Sequence, residues 1–156
     1  MSDANVDVVI HGATPAFVCG TVDRIFIVRW VGTVTRDAMN EVFDCMLNAR
    51  RRVGAPLVAV SVVPQGLEGP PHDSTPKTES QFEIVDHVTE ALYAVFEGEG
   101  VQRKILRGLV ALRALTMRIE ILPCASASEA MERAARHVNH DPALLIERAR
   151  AAGLLT

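Results

Sequence analysis

Short β-branched runs alternate along this chain with longer stretches in which apolar residues return every three or four positions. That change between a two-residue and a 3.6-residue period predicts strands interleaved with helices, the pattern of an α/β fold. Val6-Asp7-Val8-Val9-Ile10 reads as a first strand and Ala16-Phe17-Val18-Cys19-Gly20 as a second, with Thr21-Val22-Asp23 as a polar turn after it. The run from Arg24 to Val31 is the strongest strand signal, and its nearly unbroken apolar character predicts a central strand covered on both faces.

Gly32 ends that strand, and a helix is predicted from about Thr35 to Arg52. Met39, Val42, Phe43, Met46, Leu47 and Val53 make one apolar face. Asp37 in the first turn and Arg50, Arg51 and Arg52 in the last complement the helix dipole, and Gly54 and Pro56 stop the helix. Leu57 to Val63 reads as another buried strand. The β-α-β unit so formed calls for parallel strands joined by a right-handed crossover.

Residues 64–77 carry four prolines and two glycines, which rule out regular structure and predict a long loop of the functional or mobile kind. The next helix has two possible starts: Thr75 as cap with Pro76 behind it, or a capping box of Thr78 and Gln81. Phe82, Val85 and Val88 supply its buried stripe. Tyr93, Val95 and Phe96 favour a strand over residues 91–97 against a continued helix, and Gly98-Glu99-Gly100 closes it. Residues 101–115 read as a helix with Val101, Ile105, Leu109 and Leu112 in line. Residues 117–122 alternate as a strand ended by Pro123. Ser126 and Glu129 form a capping box for a helix to about His137, and Asp141-Pro142 opens a last helix to about Ala152.

The sum is a mixed, mostly parallel sheet of about five to six strands with four to five helices. Residues 1–140 are expected to form a single domain. Residues 141–156 are expected to be a C-terminal helix packing on it or at a homodimer contact, because Leu144, Leu145, Ile146, Leu154 and Leu155 exceed what one narrow face needs.

Composition narrows this picture. The chain has 156 residues, enough to bury a core without disulfides or metal. Aromatics are only 4%, so Val, Leu, Ile, Ala and Met must build that core. With 16 basic and 19 acidic residues the net charge is -3, which gives no overall electrostatic footprint for nucleic acid or an anionic membrane. Cys19, Cys45 and Cys124 form no C-x-x-C pair, and an odd count reads as reduced thiols; the expected location is cytoplasmic. The first residues lack the basic start and apolar run of a signal peptide, and no stretch approaches the roughly 20 apolar residues that span a bilayer.

The passage from Ile25 to Ala49, the Val-rich strand Leu57 to Val63 and the ending Ile119 to Ala135 together resemble the STAS-like superfamily, that of anti-sigma-factor antagonists and bacterial SpoIIAA-like proteins. In particular, Ile-Glu-Ile-Leu-Pro-Cys-Ala-Ser-Ala-Ser-Glu-Ala-Met looks like that family's last strand and the helix start after it. The resemblance runs from about Asp23 to Val138. It implies a mixed sheet with packed helices and a non-catalytic, regulatory protein-interaction role. It further implies a phosphorylated Ser or Thr after an Asp at the helix start behind a central strand. Asp73-Ser74-Thr75 is the nearest match, and it departs from the pattern by about ten additional loop residues.

In such a sheet the loops leaving the strands' carboxyl ends gather at one edge, where ligands bind. That edge is expected to collect Thr33, Thr35, His72, Asp73, Ser74, Thr75, Glu99, Arg103 and Cys124 as a binding or regulatory surface. His72-Asp73-Ser74 has the residue types of a hydrolytic triad, but adjacency in sequence counts against one, and no G-x-S-x-G elbow is present. Cys124 reads either as a thiol near a helix N-terminus or as a small buried residue at a strand end. His137, His140 and Asp141 read as helix-end groups rather than metal ligands. Arg103, Lys104 and Arg107 come after Gly98-Glu99-Gly100 at the start of a helix, an arrangement that can hold an anion, although no G-x-G-x-x-G or Walker motif occurs. No metal or cofactor is expected. Beside a protein-interaction module, two readings stay open: a small-molecule or lipid-binding sensor or carrier with an apolar pocket at the loop edge, and a small hydrolase using His72 or Cys124.

Overall fold

The computed structural model describes residues 6–67, 85–115 and 117–156. Strands β1 (Val8–Ala13), β2 (Phe17–Val22) and β3 (Ile25–Trp30) form an antiparallel meander. Helix α1 (Arg36–Val53), β4 (Leu57–Val63), β5 (Thr89–Phe96), α2 (Val101–Ala114) and β6 (Glu120–Cys124) come next, and α3 (Ala127–Val138) and α4 (Pro142–Ala151) end the chain. The six strands lie in chain order, and β3, β4, β5 and β6 are parallel.

Strand order decides where the helices go. When parallel strands are added one after another in the same direction, every right-handed crossover returns over the same face. Accordingly α1, the helical residues 85–88 and α2 share one side, where Val42, Met46, Val85, Val88, Leu106 and Val110 pack on Phe26, Ala59, Ala94 and Phe96. The other face is left to the chain beyond β6. There Met131 and Ala134 of α3, Leu145 of α4 and the terminal Leu154 pack on Ile25, Ile27, Val58, Val60, Tyr93 and Val95. Strand alternation divides the residues between the two layers, Ile25 and Ile27 to one and Phe26 and Val28 to the other. Leu144 and Ile146 are partly buried against the same core.

Strand β1 runs over Val8–Ala13 in place of the expected Val6–Ile10, and three further expected boundaries change. The meander's second turn is later than the polar residues suggest: β2 continues through Thr21 and Val22, because Val22 is fully buried and pairs with Ile25. Only Asp23 and Arg24 are left to turn, Asp23 in the left-handed region at φ 55°. Strand β5 begins at Thr89, whose hydroxyl donates to the Val85 carbonyl at 2.5 Å and closes the preceding helical residues. Finally, β6 runs over Glu120–Cys124 and contains Pro123, which was expected to end it. The strand lies at the sheet's edge and pairs with β5 alone, so a proline there removes no ladder bond on its open side.

The remaining ends obey local chemistry. Thr35 caps α1 by accepting from the Ala38 amide at 3.1 Å, and Gly54 takes φ 72° at its close. Ser126 caps α3 by accepting from the Glu129 amide, while the Glu129 carboxylate accepts from the Ala125 amide at 2.7 Å. Asp141 caps α4 ahead of Pro142.

Candidate functional site

The four parallel strands present their carboxyl ends, with the segments leaving them, along one edge. Thr33 and Glu99 are exposed there. Thr35 is also exposed, but its hydroxyl oxygen is occupied as the α1 cap. The β3 exit bearing these threonines lies two strands from the β5 exit bearing Glu99, about 10 Å at the usual strand spacing. His72, Asp73, Ser74 and Thr75 lie outside the described residues.

Arg103 is the exception in this set, because it is buried at 8% exposure. One of its guanidinium nitrogens, Nη2, donates to the Pro64 carbonyl at 3.0 Å and the Leu67 carbonyl at 2.6 Å, both at the exit of β4. One turn along α2, Arg107 repeats the pattern on the exit of β5, donating to the carbonyls of Phe96 at 2.6 Å and Gly98 at 2.9 Å. The two arginines therefore staple the first turns of α2 to two neighbouring strand exits.

Cys124 is buried, and its thiol is pushed up to about 11, by burial first and by Glu129 next. It is thus far from a thiolate nucleophile at neutral pH. Burial likewise raises Cys19, on β2, and Cys45, on α1, which donates to the His11 carbonyl at 3.5 Å.

A polar cluster at the opposite, amino end of the parallel strands went unforeseen. Arg24 pairs with Glu90 and donates to the carbonyls of Pro56 and His137. The Tyr93 hydroxyl donates to the Glu120 carboxylate at 3.2 Å and faces His137 Nε2 at 2.9 Å. A carboxylate can only accept, so the phenol's proton goes to Glu120 and its oxygen accepts from His137 Nε2–H. His137 Nδ1 is then left 3.6 Å from Glu90. Burial first, then Glu120, raises the Tyr93 phenol to about 12. The one signal for this cluster in the sequence is the chain's single tyrosine in a strand, since a buried phenol needs a partner for its hydroxyl. At this end of the molecule an open depression of about 610 Å³ lies among Glu132, Arg136, His140 and Asp141, and its lining is mostly polar. Among the described residues no group of three or more His, Cys, Asp or Glu side chains is placed to hold a metal ion.

The outward faces of the helices differ in kind. On α1, Asp37, Asn40, Glu41, Asp44, Asn48 and Arg51 face solvent, as a solvated helix requires. On α2 the exposed positions among the described residues are Lys104, Gly108, Ala111 and Leu112, with Leu115 just past its end, and the two leucines are 64% and 81% exposed. Residues 101–119 hold five basic and no acidic residues, within a chain of net charge -3. Among the described residues, no helix is long and apolar enough to cross a membrane.

No protein-family profile matches the chain, and no curated protein sequence matches it. Among solved structures it is similar to an uncharacterized protein of the DUF3478 family from Shewanella loihica PV-4, whose crystal structure at 2.25 Å resolution is described as SpoIIAA-like. The TM-score is 0.55 at 11% identity, and the alignment covers 83% of this chain and 93% of that one. Six strands in a mostly parallel mixed sheet, layered between helices and matched over nearly the whole of that neighbour, give this chain a SpoIIAA-like fold.

Proposed function

We propose that the protein is a non-catalytic, regulatory interaction module that docks an acidic, amphipathic segment of a protein partner on the outward face of α2. The observation that carries this reading is the contrast between α1, polar at the exposed positions named above, and α2, whose exposed face is Gly108, Ala111, Leu112 and Leu115 beside Lys104. Covering the parts of Leu112 and Leu115 still exposed contributes about 1–2 kcal/mol each, which an isolated chain forgoes. Lys104, exposed beside these apolar positions, favours an acidic group on the partner over a basic one. The SpoIIAA-like fold supports an interaction role, and a cytoplasmic protein partner fits the reduced thiols at Cys19, Cys45 and Cys124.

The test compares the tagged full chain with Leu112→Glu/Leu115→Glu and with a control, Glu147→Arg, on the exposed side of α4. Each is used to recover proteins from a lysate of its own source, with circular dichroism as the check on folding. A stoichiometric partner with an acidic segment, lost only from the double variant, supports the reading. Equal recovery by all three forms contradicts it. Sedimentation of the wild-type chain with anionic vesicles, in place of any protein partner, also contradicts it and favours the lipid-binding reading.

A further inference from the structure

We infer that Cys19 and Cys45 form an oxidation site, a thiol pair that a hydroperoxide closes into a disulfide joining β2 to α1. The first observation is the placement of the two sulfurs. Both residues belong to the core layer between the sheet and α1, whereas Cys124 is buried on the sheet's other side. Gly12 of β1 pairs with Cys19 across the ladder, and a Cβ added there would meet Cys45 Sγ at 3.1 Å and Cys19 Sγ at 3.4 Å. The two sulfurs thus converge on one spot, and the absent side chain of Gly12 leaves them room.

The second observation is the fate of the thiol protons. Strand β1 bulges between Ile10 and Gly12, and the His11 carbonyl there accepts from the Cys45 thiol at 3.5 Å. A thiol has one proton to donate, so the Cys45 sulfur is left to accept, and the Cys19 thiol hydrogen-bonds to it. Burial raises Cys45, the bond from Cys19 lowers it, and Asp44 and Glu41 raise it again. Cys19 is raised by burial first, and its charge and hydrogen-bond interactions with Cys45 raise it further. Cys45 is therefore the member of the pair that ionises first. It is also the half-buried one, while Cys19 has no exposure. A small oxidant from solvent meets Cys45, and Cys19 follows from within the core.

The chemistry balances with one molecule of hydrogen peroxide. The Cys45 thiolate attacks a peroxide oxygen and the O–O bond breaks. The departing oxygen takes up a proton and leaves as water, and Cys45 becomes a sulfenic acid. The Cys19 thiol then attacks the Cys45 sulfur. The S–S bond forms, the S–O bond breaks, and the hydroxyl leaves with the Cys19 proton as a second water. The two thiols have given up two electrons, and the peroxide has taken them.

The test treats the reduced full chain with hydrogen peroxide, alkylates it in denaturant and digests it without reduction for mass spectrometry. One intramolecular link between the Cys19 and Cys45 peptides, with Cys124 alkylated, is the expected product. That link closes a loop of roughly 25 residues and is expected to raise the melting temperature by about 5–10 °C, reversed by dithiothreitol. Cys45→Ala is expected to remove both the link and the shift. The peptide map of the wild-type chain is decisive by itself and does not depend on how that variant folds. Cys45 oxidised without a link, a link through Cys124, both thiols unreacted, or an equal melting shift in Cys45→Ala would overturn the assignment.

Discussion

Single residues in this protein are constrained most where two layers meet. A Cβ on Gly20 would come within 2.4 Å of the Val9 carbonyl oxygen and 3.2 Å of Leu154, so β2 has no room for a side chain there. Gly20→Ala must move the β1 backbone at Val9 and Ile10, with Leu154 giving way as well, and a loss of about 1–3 kcal/mol in chemical denaturation is expected. The titratable residues predict how stability varies with pH. Tyr93 at about 12 and Cys124 at about 11 both lie above their unfolded values of 10 and 9. Their contributions are complete below pH 9 and are lost as pH rises, Cys124 between 9 and 11 and Tyr93 between 10 and 12. His137 lies below its ordinary 6.5, through burial first, opposed by Glu120 and assisted by Arg24. Its contribution is complete above pH 6.5 and falls away as pH drops below that value. Melting temperatures across pH should show both flanks, with Tyr93→Phe removing part of the loss above pH 10, the rest staying with the buried thiols, and His137→Gln flattening the acid side. An unchanged alkaline flank in Tyr93→Phe would remove the phenol from the account.

At the scale of elements, most of the fold was legible because capping and periodicity agreed. Strand β4, the Thr35 and Gly54 limits of α1, the strand nature of residues 91–96 and the Ser126 and Asp141 caps all arise from residues within a few positions of each other. The Pro123 boundary depends instead on sheet position, which local sequence does not encode. A proline ordinarily closes a strand, and only the place of β6 at the edge lets this one stay. The candidate site was legible in part for the same reason. The residues at the strand exits are fixed by element order. The Arg24, Glu90, Tyr93, Glu120 and His137 cluster joins positions up to 113 residues apart, and beyond the lone tyrosine in a strand no local pattern signals it. Because Ser126 caps α3 at an exposed position, Ser126→Ala is expected to lower stability by about 1 kcal/mol without altering the fold. Equal stability of the two forms would show the cap to be idle.

For the whole molecule, in-order parallel strands send α1 and α2 to one face and leave α3 and α4 to close the other. Both faces of the sheet are then buried by the chain itself, and among the described residues the most exposed large apolar side chains are Leu112 on α2 and Leu115 just past its end, ahead of Val31 and Ile10. The direct test of that claim is a photo-crosslinking amino acid placed at position 112 in cells, beside the same group at position 48 on the polar face of α1. A discrete protein adduct at 112 and none at 48 is the result the account predicts. Equal adducts at both positions, or a lipid adduct at 112, would contradict it.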